Sequence, residues 1–72
     1  MKSTKRIFRV DRKEIAFLKF IIESYDGIAV ITTLEAAAGI VAIYVAPGCE
    51  EELNIIIQDL KKDILIKEIT AS

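Results

Sequence analysis

The spacing of apolar residues along the chain changes between two periods, and the order of these periods predicts a fold. Strand-like and helix-like stretches follow one another as Lys5–Val10 (alternating), Asp11–Tyr25 (helical), Ile28–Leu34 and Ile40–Ala46 (apolar runs), Glu50–Lys62 (helical) and Ile64–Ile69 (alternating). This β-α-β-β-α-β order is typical of the ferredoxin-like plan, an α+β sandwich. We therefore expect one domain over residues 1–72, with residues 1–4 as a flexible tail. Its four-stranded antiparallel sheet should have the order 4-1-3-2, with both helices on one face.

The two predicted helices are amphipathic and have recognisable ends. Asp11 followed by Glu14 resembles an N-terminal capping box, and Gly27 is a natural stop for the first helix. The residues expected to face inward are Ile15, Leu18, Ile22 and Tyr25, widened by Phe17 and Ile21, in the first helix and Leu53, Ile56, Ile57 and Leu60 in the second. Phe20 falls outside this apolar stripe, so it is either partly exposed or covered by a partner.

The apolar content is high for such a short chain. Apolar residues make up 53% of 72 residues, and both middle strands are apolar on both faces. A two-layer fold covers only one face of its sheet with helices, so the second face must be buried in another way. We therefore predict an obligate or near-obligate homodimer, formed through the sheet surface or a sheet edge.

The same middle segment also has the length of a membrane span. Between Gly27 and Cys49 the only charged residue is Glu35, which lies near the middle, where a carboxylate is costly in a bilayer. The segment is rich in Val, Ile and Thr and is interrupted at Ala36–Gly39, which favours two strands joined by a turn. We expect no membrane association and, without a signal-peptide pattern, a cytoplasmic location.

The charge balance argues against nucleic-acid binding. Ten Lys and Arg residues stand against eleven Asp and Glu residues, whereas phosphate-driven binding needs a basic surface. Basic residues concentrate at the start of the chain instead, where an anion could be bound by Arg6, Arg9, Arg12 and Lys13. Asp11, Arg12 and Lys13 lie where the first strand meets the first helix and are the candidate ligand-binding residues, since backbone N–H groups there favour an anion.

Cys49 is the one side chain with reactive chemistry. It precedes the second helix, whose dipole favours a thiolate, but Glu50, Glu51 and Glu52 oppose that effect. The chain contains no histidine, which rules out a Cys–His pair within one subunit. We predict no catalytic residues, no cofactor and no metal site, and we keep a reactive thiol at Cys49 as an alternative.

Two resemblances follow from these residues. The order of elements and the length resemble a free-standing ACT domain, a small ferredoxin-like module that regulates amino-acid metabolism. The segments Val10–Phe20, Glu23–Gly27 and Ala46–Cys49 also resemble a family of short bacterial proteins of unknown function. The ACT resemblance implies a dimer and a small effector near the turn between the first strand and the first helix. Asp11 matches the ACT pattern there, while Arg12 and Lys13 replace its usual small residue.

The expected function is therefore that of a non-enzymatic, ACT-like regulatory module, a homodimer that binds a small molecule or a protein partner. Two alternatives stay open: a thiol-dependent carrier or sensor that uses Cys49, and a purely structural assembly subunit. Titration with amino acids separates the binding module from the structural subunit, and thiol titration tests the carrier.

Overall fold

A computed structural model describes residues 4–69 and has the predicted order of elements. The elements are β1 (Thr4–Val10), a 3₁₀ turn (Arg12–Glu14), α1 (Ile15–Ser24), β2 (Ala29–Glu35), β3 (Ile40–Val45), α2 (Glu50–Leu60) and β4 (Ile66–Glu68). Of the predicted tail, only Thr4 is among the described residues, and it is the first residue of β1 rather than part of a tail. The segment weighed as a membrane span forms β2 and β3.

All described strand pairings are antiparallel, and the sheet has the order β2-β3-β1-β4. This is the predicted order, counted from the opposite edge. As predicted, β3 is a central strand and pairs with β1 on one side and β2 on the other. Ala42 lies opposite Ile7 of β1 and opposite Thr32 of β2, which fixes the register across the middle of the sheet.

One face of the sheet packs against both helices to form the core. Alternate strand residues point to the same face, and the residues buried on this side are Phe8 and Val10 of β1 and Val41, Ile43 and Val45 of β3. The buried apolar cluster contains Phe8, Val10, Leu18, Ile22, Ile31, Val41, Ile43, Val45, Leu53, Ile56, Ile57, Leu60 and Ile66. All four residues predicted to face inward from α2 belong to this cluster, whereas the first helix buries only Leu18 and Ile22 completely.

The element ends differ from the prediction in ways that local hydrogen bonds explain. The first helix starts with a 3₁₀ turn, which Asp11 caps by accepting a hydrogen bond from the backbone N–H of Lys13 at 3.2 Å. Gly27 has a φ of 79° and follows α1 as expected for a helix stop. The second helix ends at Leu60, so the predicted extension to Lys62 is instead a turn.

A partly buried arginine joins the short β4 strand to the rest of the fold. Arg6 donates two hydrogen bonds to the carboxylate of Glu68, at 2.9 and 2.8 Å, and a third to Oδ1 of Asn54 at 2.6 Å. Its guanidinium carbon also lies 5.4 Å from the ring centroid of Phe8. The hydrogen bonds to Glu68 raise the pKa of Arg6 above its ordinary value. Since the interaction is bidentate and partly shielded, it ties β1, β4 and α2 together.

The start of α2 is tied to the start of β1 by a carboxylate. Glu50 accepts a hydrogen bond from the hydroxyl of Thr4 at 3.0 Å. The pKa of Glu50 is lowered below its ordinary value, mainly by a hydrogen bond from its own backbone N–H and secondly by the hydrogen bond from the Thr4 hydroxyl. A lowered folded-state pKa means that this contact stabilises the fold above the unfolded pKa of the carboxyl group. The contribution is lost as the pH falls through the folded value.

Candidate functional site

The face of the sheet that points away from the helices has no covering element within residues 4–69, and we call it the open face. Its residues follow from alternation and register. The open face comprises Lys5, Ile7 and Arg9 of β1, Val30, Thr32 and Glu35 of β2, Ile40, Ala42 and Tyr44 of β3, and Lys67 of β4. Leu34 is left out because a bulge between Thr33 and Glu35 breaks the alternation there.

The middle of the open face is apolar and its ends are charged. Ala42 is buried at the centre among larger neighbours, and Ile7 and Ile40 beside it are half-buried. Val30 is 63% exposed and Tyr44 is also exposed, with the ammonium of Lys5 lying 5.9 Å from the Tyr44 ring centroid. An apolar centre with a polar margin is the usual anatomy of a protein interface.

Three cations gather at one end of the open face. Arg9 lies directly opposite Lys67 in the β1–β4 pairing, and both line a cavity of about 450 Å³ together with Arg12. Within residues 4–69 none of the three forms an ion pair. Like charges placed opposite each other on a sheet are unfavourable. An anion bound between them would relieve this repulsion.

Two of the three predicted ligand-binding residues line this cavity. Asp11 and Arg12 line the cavity, whereas Lys13 is exposed and does not. Of the other two cations, Arg9 is one of the residues predicted to be able to bind an anion, whereas Lys67 was not predicted. The alternation of β1 places Arg9 on the open face, but its nearness to Lys67 depends on the β1–β4 register, which the sequence does not specify.

Cys49 lies between the loop after β3 and the start of α2, as predicted. It is half-buried and packs against the core cluster. Its backbone carbonyl accepts a hydrogen bond from Leu53 at 3.0 Å, while its side chain makes no capping hydrogen bond to the helix. Cys49 thus has a packing role in the core, and its reactivity remains a prediction.

Within residues 4–69, no group of three or more His, Cys, Asp or Glu side chains is arranged to hold a metal ion. None of the helices in this part of the chain has both the length and the apolar character needed to cross a bilayer.

Comparison with known proteins gives one finding. No curated protein and no solved structure matches this chain. A family model does match, over residues 8–64, from within β1 to just beyond α2. This span includes most of the open face and most of the core. The match confirms the expected relation to a family of unknown function, while the ACT resemblance stays a prediction. The chain belongs to the family described as "Domain of unknown function (DUF4911)".

Proposed function

We propose that this protein is a non-enzymatic module that works as a homodimer, with the open faces of two copies packed together. The observation that supports this most directly is the apolar centre of the open face, where Ile7, Ile40, Ala42 and Tyr44 surround one another on two central strands. Two copies related by a two-fold axis would bury this centre against itself, and the charged residues would remain at the margin.

The size of the open face decides how tight such a dimer can be. Three strands about 20 Å long and the three-residue strand β4, spaced about 4.8 Å apart, give a footprint of roughly 300 Å². Standard interfaces bury about 800 Å² from each partner. The open face is therefore smaller than a standard interface, which predicts a weak dimer. We expect a dimer that dissociates on dilution into the micromolar range or below, which is weaker than the obligate dimer predicted from the sequence.

Replacing Val30 with glutamate should dissociate the dimer. The side chain is 63% exposed in one subunit, so folding should tolerate the change. In the dimer, however, two such carboxylates, one from each subunit, would be buried. We expect the dissociation constant measured by sedimentation velocity to rise by about 100-fold, which corresponds to roughly 2.7 kcal/mol. Circular dichroism should show an unchanged fold.

Ile55→Glu is the matched control for this experiment. Ile55 is 67% exposed, almost as much as Val30, but lies on α2, away from the open face. This variant should dimerise like the original protein. If the original protein sediments as a monomer even at concentrations well above the micromolar range, or if Ile55→Glu dissociates it and Val30→Glu does not, the proposed interface is wrong.

The cation cluster supports a second candidate function, the binding of a small anionic or zwitterionic effector. Arg9, Arg12 and Lys67 supply positive charge around the cavity, and Asp11 supplies one carboxylate. An amino acid could place its carboxylate near the cations and its ammonium group near Asp11. The cavity includes residues of the β1–α1 turn, near which the ACT resemblance implies a small effector.

Titration calorimetry with amino acids, and separately with inorganic phosphate, tests this second function. Lys67→Gln should weaken binding of the responding compound by about tenfold, since it removes one of three converging charges. Lys19→Gln makes the same change on the exposed surface of α1 and should leave binding unchanged. Binding of phosphate alone would indicate a general anion site, and heat from neither class of compound would exclude the effector function.

A further inference from the structure

A groove between the two helices, on the opposite side of the molecule from the open face, has an apolar floor and an acidic rim. Its volume is about 410 Å³. The lining residues are Phe17, Ile21, Tyr25, Ile28, Ile55, Ile56 and Leu60, with the carboxylates of Glu52, Asp59 and Asp63. This composition differs from the open face, where the charges are mostly positive.

The groove follows from the way α1 lies on the sheet. Leu18 and Ile22 are one helical turn apart and point into the core. Phe17 precedes Leu18 by one residue, so its side chain is rotated by about 100° around the helix, towards α2. Phe17 and Tyr25 remain 41% and 45% exposed although both were predicted to face inward. Both aromatic side chains line the groove.

The residues of α2 that border the groove recur at helical spacing. Glu52, Ile55 and Asp59 lie three and four residues apart and therefore share one face of the helix. Asp63 continues this line in the turn after the helix. Among residues 4–69, no Lys or Arg side chain lines the groove. The ion pair between Lys62 and Asp59, at 3.7 Å, is fully in solvent and neutralises the rim only weakly.

We propose that this groove binds a short amphipathic segment of a partner protein, whose apolar side chains fill the floor and whose Lys or Arg side chains meet Glu52, Asp59 and Asp63. The apolar stretch from Phe17 to Tyr25 is about 12 Å long, which matches two turns of a bound helix. Helix-in-groove recognition uses anchors at this spacing. The acidic rim selects a basic segment over an acidic one.

The probe for this proposal is a fluorescein-labelled peptide of about 14 residues, with leucine at helical spacing and lysine at the other positions. The matched peptide carries glutamate instead of lysine. Fluorescence anisotropy with the full chain should show binding of the lysine peptide, weakening as salt rises, and no binding of the glutamate peptide. Equal binding of both peptides would overturn the acidic-rim argument.

Variants separate the groove from the overall charge of the protein. The double variant Asp59→Asn with Asp63→Asn should weaken binding of the lysine peptide by about tenfold. The double variant Glu23→Gln with Glu35→Gln removes the same charge outside the groove and should change binding by less than about twofold. Equal losses from the two variants would show attraction by net charge and would overturn the proposal.

Ile55→Glu tests the apolar floor and the identity of the occupant. It should abolish peptide binding while leaving the homodimer intact. Dissociation of the homodimer by this variant would mean that a second copy covers the groove, and unchanged peptide binding would place the peptide elsewhere. Either result overturns the proposal. The test does not depend on the open face, since Val30→Glu should leave peptide binding unchanged.

Discussion

Replacing Gly39 with alanine is expected to destabilise the protein by about 3 kcal/mol or more. Gly39 has a φ of 72°, a conformation that costs an alanine roughly 1–2 kcal/mol. In addition, an alanine Cβ would overlap the carbonyl oxygen of Val10. The turn cannot easily move away, because the backbone N–H of Val10 donates a hydrogen bond to the Gly39 carbonyl at 2.8 Å. The substitution therefore strains the turn and separates it from the end of β1.

Gly48→Ala provides the control for this substitution. Gly48 has a similar φ of 85°, but no heavy atom lies within 4 Å of the position its Cβ would take. Its cost should be limited to the backbone strain of about 1–2 kcal/mol. Urea unfolding of both variants at one protein concentration gives the comparison. Equal losses of stability at the two glycines would contradict the close approach of the β2–β3 turn to Val10.

The sequence predicts the buried side of α2 because its helical period is regular. Four residues at helical spacing are predicted to face inward, and all four are buried. In β3 a two-residue period groups Val41, Ile43 and Val45 on one face, and all three are fully buried. The opposite face of β3 is also apolar, so local spacing does not predict which of its two faces meets the helices.

The sequence does not predict features that depend on which strands meet. The hydrogen bonds of Arg6 to Glu68 and Asn54 require β1, β4 and α2 to converge. The pairing of Arg9 with Lys67 depends on the same β1–β4 register. Short-range spacing carries no information about such contacts, so the predicted ligand site at Asp11, Arg12 and Lys13 does not include Lys67.

The excess apolar residues of the chain lie on two surfaces, although only one surface was predicted. The predicted surface is the open face, where Val30 and Tyr44 are exposed. A second share lies on the helices, where Phe17, Tyr25 and Ile55 border the groove. Phe20 is 68% exposed and lines neither surface. A helical wheel does not distinguish a residue facing the sheet from one facing the neighbouring helix, because both lie within a broad apolar arc.

Leu53→Ala should be among the most destabilising truncations in the chain. Leu53 is fully buried in the cluster that joins α2 to the sheet. Removing its side chain leaves a cavity in a close-packed region, which typically costs about 2–5 kcal/mol. A domain of this size is expected to have only about 4–11 kcal/mol of total stability. The variant should therefore lose from about a fifth of this stability to all of it, and its urea midpoint should fall accordingly.

Ile55→Ala is the control for Leu53→Ala, because it truncates an aliphatic side chain in the same helix at an exposed position. Ile55 lies two residues after Leu53 in the same helix but is 67% exposed, and alanine is the better helix former. Its stability should change by less than about 0.5 kcal/mol. Both variants must be compared at one protein concentration, because dimerisation adds to the measured stability. A loss below about 1 kcal/mol at Leu53, or equal losses at both positions, would mean that α2 is not seated on the sheet through Leu53.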